Sequence, residues 1–333
     1  MEPKMRKNLA CLALEGTAHT AGVAVVDGRC GVLADERHSF TSKTGGMVPR
    51  ELAEHHTARF PALLEAALAK SGKGFGEIDC IAYSAGPGIG NALSVTATAA
   101  RILALLRGLP IVPVNHAVAH IEIAKKLCGA KDPLVLYVSG GNTQVIGYEN
   151  GRYRVYGETL DIGVGNLLDS FGRSLGMGFP AGPELDRVYF EAVDYIELPY
   201  SVKGMDVEFS GLQTAAERKI GKAGNATLAY SMMHNAFAML TEVTERALAH
   251  TGKKELMVTG GVAASKALQK MLAEMCSGRG TKLKMCPREY ATDNAVNIAW
   301  TGMQMFGAKR AVTADKAFTN QDFRVDAEEV NWL

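Results

Sequence analysis

The sequence predicts an α/β fold made of two similar units, and three observations support this prediction. Short apolar segments alternate with longer segments whose apolar residues recur at helical spacing, which is typical of α/β proteins. The order strand, hairpin, helix, strand, glycine-rich turn, helix occurs twice, once on each side of residues 129–133. The 333 residues also favour two domains, because a typical domain has about 100–200 residues. We predict domains at residues 1–130 and 131–333 that face one another across a central cleft, into which the strand ends point their loops.

The elements of the first half are predicted from apolar runs, turn residues and helical spacing. The first strand is an apolar run that ends at Glu15, and Gly28 and Arg29 form the turn of the hairpin that follows. Asn115 directly follows a short apolar strand and is a favourable N-cap for the next helix. The predicted strands are 9–14, 22–27, 31–35, 78–84 and 111–114, and the predicted helices are 49–71, 91–107 and the one that Asn115 caps.

The second half repeats this order after Gly129. Asn150 and Gly151 predict a tight hairpin turn, because this pair accommodates the turn conformation that joins two antiparallel strands. The stretch 199–211 is predicted to be a long loop. The predicted strands are 134–138, 144–148, 152–156, 255–259 and 283–286, and the main predicted helices are 164–175, 183–192, 212–220, 227–250 and 294–306.

Composition and charge exclude several classes of protein. The chain has 36 Lys and Arg against 35 Asp and Glu, a net charge of +1, which excludes a histone-like polycation but not nucleic acid bound by a local patch. The sequence has no uncharged apolar run long enough to predict a membrane helix. The six apolar residues between the basic N-terminus and Glu15 are too few for a signal peptide. The six cysteines form no C-x-x-C pair, so we expect reduced thiols in a cytoplasmic protein. Because no membrane helix is predicted, we also expect no membrane partner.

Two histidines form the sharpest local pattern of the sequence. His116 and His120 are four residues apart at the start of a predicted helix, so their Cβ atoms lie about 5–6 Å apart on one helix face and both imidazoles can bind one metal ion. A hydrogen-bonded histidine pair without metal explains the same spacing. Ala117 stands where a zinc-protease motif requires Glu. Asp293, just before the last helix, is a second candidate ligand, although a plain N-cap residue also explains it.

Glycine-rich turns follow three predicted strands, at residues 86–90, 139–143 and 260–262. Backbone N–H groups in such turns and at helix N-termini favour bound anions, so together the turns favour a nucleotide site, although a tight turn by itself also needs glycine. The sequence lacks both the P-loop motif and the dinucleotide-binding fingerprint. The carboxylates beside these turns are candidate ribose ligands or members of a solvated helix face: Asp161, Asp169 and Asp186.

A series of ordered motifs resembles one known family over nearly the whole chain. The family is that of the archaeal and eukaryotic tRNA N6-adenosine threonylcarbamoyltransferases, the catalytic subunits of the KEOPS complex, formerly called O-sialoglycoprotein endopeptidases. The motifs are Leu14 to Thr20, Pro49 to Glu51, Ala53 to His56, Gly86 to Gly88, Asn115 to His120, Tyr137 to Thr143, Gly260 to Ala264, Thr292 to Asn294 and Phe323 to Asp326.

The resemblance implies a fold and a reaction. The fold is the duplicated α/β fold of actin, Hsp70 and sugar kinases. The reaction transfers the threonylcarbamoyl group of threonylcarbamoyl-AMP to N6 of the adenosine 3′ of the anticodon, in tRNAs that read codons beginning with A. It forms N6-threonylcarbamoyladenosine and releases AMP. The implied partners are tRNA, a separate small kinase-like ATPase subunit and the other small KEOPS subunits, because the chain carries no kinase motifs before Leu333.

The resemblance also implies particular site residues. One divalent metal ion, Fe²⁺ or alternatively Zn²⁺, is implied at His116, His120, Tyr137 and Asp293. The chain departs from the family at Ser265, where the family has an asparagine that binds the nucleotide, and a hydroxyl replaces only part of the hydrogen bonding of an amide. The implied contacts to threonylcarbamoyl-AMP, or to ATP analogues in its place, are Tyr137, Val138, Ser139, Gly140, Gly141, Asp169, Gly182 and Asp186.

Glu15 is the candidate catalytic residue, because it stands at the end of the first strand. It orients the incoming amine or takes its proton, or it merely caps the adjacent turn. Three other functions remain alternatives: a small-molecule kinase of the same fold, a metalloprotease, and a nucleotide-gated scaffold subunit. The kinase normally has Asp-x-Gly-Thr at its first strand, where this chain has Leu14-Glu15-Gly16-Thr17, and the protease would need the Glu that Ala117 replaces.

Overall fold

The computed structural model describes residues 9–41, 48–191 and 194–332. The basic residues 1–8, which entered the signal-peptide argument, lie outside this description. Among the described residues, no helix is long and apolar enough to cross a membrane.

The first five strands form a mixed sheet in the order β3-β2-β1-β4-β5. Strands β1, β2 and β3 are antiparallel neighbours, whereas β1, β4 and β5 run parallel to one another. Both faces of β1 are buried, since Leu12 belongs to the apolar core on one face and Cys11 approaches the last helix on the other. The strands are β1 (Ala10–Glu15), β2 (Thr20–Asp27), β3 (Val32–Ser39), β4 (Cys80–Gly86) and β5 (Ile111–Asn115).

A second five-stranded sheet repeats this topology. Its order is β12-β11-β6-β7-β8, with β6, β7 and β8 antiparallel and β6, β11 and β12 parallel. Asn150 and Gly151 form the turn between β7 and β8 with φ angles of 51° and 82°, a left-handed conformation that this pair tolerates. The strands of this half are β6 (Leu134–Val138), β7 (Thr143–Glu149), β8 (Arg152–Glu158), a short pair β9 (Val202–Lys203) and β10 (Asp206–Val207), β11 (Glu255–Thr259) and β12 (Lys282–Met285).

Ten α-helices of the described residues accompany the two sheets. In the first half, α1 packs against α2 and against β2 and β3, and α10 packs against β1, β2, β4 and β5. The predicted duplicated α/β fold is therefore confirmed. The helices are α1 (Pro49–Ser71), α2 (Gly90–Arg107), α3 (His116–Cys128), α4 (Val164–Ser174), α5 (Gly182–Tyr189), α6 (Ser210–Glu217), α7 (Asn225–Thr251), α8 (Lys266–Arg279), α9 (Arg288–Ala291) and α10 (Ala295–Gly307).

The structure divides into two units whose boundaries lie at residues 123/124 and 292/293, whereas the predicted boundary lies between residues 130 and 131. One unit comprises the residues up to Ile123 together with those from Asp293 onward, and the other runs from Ala124 to Thr292. The last segment belongs to the first unit because α10 is apolar around most of its circumference, with Val296, Ile298 and Met303 all fully buried. A helix of this kind needs burial on nearly every side.

The stretch predicted as a long loop at 199–211 contains more structure than expected. It forms the short antiparallel pair β9 and β10, and α6 begins at Ser210. The carboxylate of Asp161 accepts hydrogen bonds from the Phe209 and Ser210 N–H groups at 2.8–3.1 Å, which anchors the start of α6.

Candidate functional site

One group of functional side chains lies at the carboxyl ends of the parallel strands of the first sheet. Glu15 is the last residue of β1, and Asn115 is the last residue of β5. The side chain of Asn115 accepts a hydrogen bond from the Val118 N–H at 3.1 Å, which caps α3 as the sequence predicts and makes His116 the first helical residue. Since β1 and β5 run in the same direction through β4, Glu15 and His116 meet at one edge of the sheet.

Asp293 reaches the same edge from the other end of the first unit. It directly precedes Asn294, whose side chain accepts a hydrogen bond from the Asn297 N–H at 3.1 Å and is the N-cap of α10. The capping role that the sequence offered for Asp293 therefore belongs to Asn294. The carboxylate of Asp293 instead points at the two histidines.

Three potential ligand atoms converge at this edge. Nε2 of His116 and Nε2 of His120 are 3.2 Å apart, and each lies 3.4 Å from Oδ1 of Asp293. The His side chains are 8% and 2% exposed and the Asp side chain is 19% exposed, so the group is largely shielded from water. Among the described residues, these three were found as a group of side chains able to hold a metal ion.

The remaining imidazole nitrogens of both histidines also have neighbours. Nδ1 of His116 lies 3.1 Å from Oε2 of the fully buried Glu15. Nδ1 of His120 lies 3.3 Å from the side-chain amide of Asn297. A carboxylate that accepts a hydrogen bond from the second ring nitrogen, as Glu15 is placed to do for His116, orients a histidine ligand in metal sites. The sequence reasoning missed Asn297, although a buried amide within the apolar helix α10 is a recognisable signal.

The charges of the group suit a bound cation. If His116 donates its Nδ1–H to Glu15, the lone pair on its Nε2 faces the carboxylate of Asp293, so a proton or a metal ion must lie between them. Burial lowers the pKa of His120, which favours its neutral imidazole, the form that binds metal ions. Burial by itself would raise the pKa of Asp293, but its close contacts with the imidazoles of His116 and His120 hold it well below the ordinary range. Asp293 is therefore a carboxylate.

The donor set fits a first-row metal ion. Four ligands at about 2.0–2.1 Å in a tetrahedron are about 3.3–3.4 Å from one another. The three separations of 3.2, 3.4 and 3.4 Å match this geometry. Two imidazoles and one carboxylate suit zinc or iron and are a poor set for magnesium or calcium, which prefer oxygen ligands alone.

A second group of functional residues belongs to the second unit and surrounds the turn after β6. The backbone O atoms of Ser139 and Gly140 accept hydrogen bonds from N–H groups in the first turn of α4, at 3.1 and 3.0 Å. A Cβ atom on Gly163 or Gly165 would lie 2.3 or 2.7 Å from this turn, so only glycine allows the approach. Gly140 and Gly141 are exposed, which leaves the backbone of the turn accessible to a ligand.

Asp169 and Gly182 meet within the same unit. Asp169 lies on α4, and its Oδ1 accepts a hydrogen bond from the Ala181 N–H at 2.8 Å. Ala181 directly precedes Gly182, the first residue of α5. The carboxylate therefore fixes the start of α5 beside α4, which is a structural role in addition to any contact with a ligand.

Asp186 and Ser265 also meet. Oδ1 of Asp186 accepts a hydrogen bond from the Ser265 hydroxyl at 2.5 Å, and the carboxylate accepts further bonds from the Lys266 and Ala267 N–H groups at 3.1 and 3.2 Å. Ser265 is the N-cap of α8, since its hydroxyl oxygen accepts a hydrogen bond from the Leu268 N–H at 3.3 Å. The carboxylate thus faces the N-terminus of α8, where a negative charge is favourable.

The predicted site residues thus fall into two groups, one in the first unit and one in the second. His116, His120, Asp293 and Glu15 lie together in the first unit. Tyr137 and Val138 are the buried final residues of β6 in the second unit. The second unit also holds the turn 139–141 and the linked pairs of Asp169 with the start of α5 and of Asp186 with Ser265.

Comparison with solved structures supports the class of fold. The chain is similar to the crystal structure of HypF from T. kodakarensis, with a TM-score of 0.65 and 15% identity over 96% of this chain and 50% of that chain. At this identity the likeness shows the fold alone. The fold is that of the class that includes actin, Hsp70 and sugar kinases, as predicted.

Comparison with protein families and curated proteins identifies the family. Residues 31–300 match the model of the TsaD family, tRNA N6-adenosine threonylcarbamoyltransferase. The chain is 49% identical over 326 residues to the tRNA N6-adenosine threonylcarbamoyltransferase of Thermococcus kodakarensis, covering 97% of this chain and 100% of that protein. It is also 48% identical to a probable bifunctional tRNA threonylcarbamoyladenosine biosynthesis protein of Methanothermobacter thermautotrophicus, covering 98% of this chain and 61% of that protein.

The chain therefore belongs to the tRNA N6-adenosine threonylcarbamoyltransferase family. It is a transferase of tRNA threonylcarbamoyladenosine biosynthesis, and the resemblance seen in the sequence motifs is confirmed.

Proposed function

We propose that the chain transfers the threonylcarbamoyl group of threonylcarbamoyl-AMP to N6 of the adenosine 3′ of the anticodon, in tRNAs that read codons beginning with A. The adenine amine attacks the carbamoyl carbonyl carbon, a C–N bond forms, and the C–O bond to the phosphate breaks. AMP leaves and the amine loses a proton. The convergence of His116, His120 and Asp293 is the observation that carries this proposal, since such a donor set is not expected in a sugar kinase of the same fold.

A divalent ion, Fe²⁺ or Zn²⁺, is proposed at His116, His120 and Asp293, with Tyr137 as a further ligand on the strength of the family resemblance. When bound, the ion would supply a Lewis acid and a template for the threonylcarbamoyl oxygens. The protein side chains keep this site buried: the carboxylate of Asp293 would balance the charge of the ion, and Glu15 would orient the imidazole of His116.

The adenylate is proposed to bind the second unit. The exposed backbone of Gly140 and Gly141 is suited to donate hydrogen bonds to the phosphate or to a developing oxyanion. Asp169, Gly182, Asp186 and Ser265 are proposed as nucleotide contacts, together with Tyr137, Val138 and Ser139. Their hydrogen bonds to α5 and α8 support this role, because they hold the carboxylates in fixed positions.

The proposed partners are tRNA, a separate small kinase-like ATPase subunit and other small subunits of a KEOPS-type complex, in the cytoplasm. Support for a second activity in the same process comes from the Methanothermobacter relative, which is named bifunctional and of which this chain spans 61%. A net charge of +1 is consistent with phosphate contacts shared between subunits.

The metal site is tested by substituting its ligands. We expect His116→Ala and His120→Ala to lose the metal ion and the transfer of threonylcarbamoyl from threonylcarbamoyl-AMP to tRNA, because each variant removes one of three described ligands. The fold should survive, since the ligands join elements that already pack together. Metal content is measured by elemental analysis, transfer by labelled threonine in tRNA, and folding by circular dichroism.

A matched control is His250→Ala, an exposed histidine at the end of α7 that should leave metal and transfer unchanged. Metal retained at parental affinity in the double variant His116→Ala/His120→Ala would show that the site is wrongly assigned. Phosphorylation of a small molecule, or cleavage of a protein, by the purified chain would favour the kinase or the protease instead.

A further inference from the structure

The buried carboxylate of Glu15 is surrounded by hydrogen-bond donors. Its side chain is 0% exposed. Oε1 accepts two hydrogen bonds from Thr17, one from the backbone N–H at 2.8 Å and one from the hydroxyl at 2.6 Å. Oε2 lies 3.1 Å from Nδ1 of His116. A carboxylate whose two oxygens are engaged in this way, away from water, is not placed to take a proton from an incoming amine.

We propose that Glu15 is a positioning residue that fixes the tautomer of His116 and so prepares its Nε2 to bind a divalent cation. This inference rests on the metal site proposed above. An ionised carboxylate only accepts hydrogen bonds. With Glu15 as such an acceptor at Oε2, His116 carries its proton on Nδ1, and the lone pair of its Nε2 then points toward His120 and Asp293.

The Thr17 backbone determines which oxygen of Glu15 faces His116. Its N–H can only donate, and it occupies Oε1 at 2.8 Å. The acceptor that remains for His116 is Oε2, on the same rigid group. The register of β1 and the capped start of α3 hold the two side chains in place, so the tautomer is set by the fold before any ion arrives. The first-strand Glu thus serves the metal site even though it is not a ligand.

Glu15→Gln is a sharp test, because an amide presents one acceptor and one donor. The amide oxygen must face the Thr17 N–H, which cannot change from donor to acceptor. The NH₂ group then faces Nδ1 of His116 and donates to it, so the histidine proton moves to Nε2. A protonated Nε2 has no lone pair for a metal ion. The substitution nearly conserves size, so its effect arises from hydrogen bonding rather than from a cavity.

We expect Glu15→Gln to weaken the binding of Zn²⁺ or Co²⁺ by about 10–100-fold, the range for the loss of a partner that orients a ligand. Affinity is measured on the purified, metal-free full chain by competition with a coloured chelator. The matched control is Glu65→Gln, the same substitution at an exposed position of α1, and it should bind the ion like the parent.

A second measurement reads the histidine tautomer directly. In the parent, histidine-selective ¹⁵N labelling shows which ring nitrogen carries the proton, in the metal-free protein at a pH where the ring is neutral. We expect Nδ1–H for His116, assigned by its absence in His116→Ala, and Nε2–H in Glu15→Gln. Nε2–H in the parent, or parental zinc affinity in a folded Glu15→Gln variant, would overturn the inference. A parent that binds neither ion would instead contradict the proposed metal site itself.

Discussion

The Ser265 hydroxyl makes two hydrogen bonds, and an asparagine at this position, as in the family, would have to make both of them. Its hydroxyl donates to Asp186 and accepts from the Leu268 N–H. An amide has a donor and an acceptor on separate atoms, so an asparagine can make both of these bonds and still offer a hydrogen atom to a nucleotide. Asparagine is also as good an N-cap as serine.

We therefore expect Ser265→Asn to be tolerated and to tighten the binding of an AMP analogue by about 0.5–1.5 kcal/mol, the value of one net hydrogen bond. Isothermal titration of parent and variant at the same salt concentration measures the difference. Lys270→Asn, an exposed position on the same helix, serves as the control. A folded variant that binds the analogue more weakly would show that the pocket has been rebuilt around Ser265.

At the scale of single elements, the start of α6 is held by the carboxylate of Asp161. Asp161 accepts hydrogen bonds from the N–H groups of Ile162, Phe209 and Ser210. Burial alone would raise the pKa of Asp161, but these bonds outweigh it and lower the pKa to about 2. Because the folded-state pKa is below the ordinary value of 3.8, the carboxylate contributes stability that is present above about pH 4 and is lost as the pH falls toward 2.

We expect Asp161→Asn to lower stability at neutral pH and to flatten the fall in stability between about pH 4 and 2. Urea unfolding followed by circular dichroism across this range provides the comparison. Asp322→Asn removes an exposed carboxylate of the first unit and is the control with the same change of charge. Parallel pH profiles for the parent and Asp161→Asn would contradict the role given to this carboxylate.

The sequence predicts some elements better than others, for physical reasons. The strands 134–138 and 255–259 match β6 and β11 because each is an apolar run that ends at a glycine-rich turn. The pair β9 and β10 escaped prediction because two residues are too few for an alternating pattern, and the pairing depends on contacts with the rest of the chain. The start of α6 was likewise set by Asp161, a residue 49 positions earlier in sequence.

At the scale of the whole molecule, the first unit is discontinuous and the second is continuous. We expect a fragment of residues 124–292 to unfold cooperatively by itself, whereas a chain that stops at residue 292 loses the first unit. The missing α10 would leave a face of the first sheet uncovered. Val296, Ile298 and Met303 alone represent about 5–9 kcal/mol of lost burial, which is comparable to the typical stability of a whole domain, about 5–15 kcal/mol.

Thermal unfolding monitored by circular dichroism tests both fragments, and a synthetic peptide of residues 293–332 added to the shortened chain should restore the lost transition. A shortened chain that unfolds with the same transitions as the parent, without the peptide, would show that α10 is dispensable. A fragment 124–292 without a cooperative transition would show that the second unit depends on the first.

Some contacts of the candidate site could be predicted from the sequence, and others could not. Helical spacing alone brings His116 and His120 together. Asp293 is 173 residues beyond His120, so the sequence offered it as a candidate ligand with an N-cap role as the alternative, and the family resemblance then implied the ligand role. The contact of Glu15 with His116 depends on the parallel order of β1, β4 and β5, which a single sequence does not reveal. The bond between Asp186 and Ser265 depends in the same way on the packing of α5 against α8.

The late position of Asp293 in the chain has a consequence for how the protein matures on the ribosome. At about 5–20 residues per second, the histidines are synthesised roughly 10–35 s before their carboxylate partner. During that interval the nascent chain offers two imidazoles without the group that balances a cation, and without the helix that covers the sheet beside them. An ion at the proposed site would therefore be loaded by the completed polypeptide, and premature termination anywhere before residue 293 yields a product that lacks Asp293.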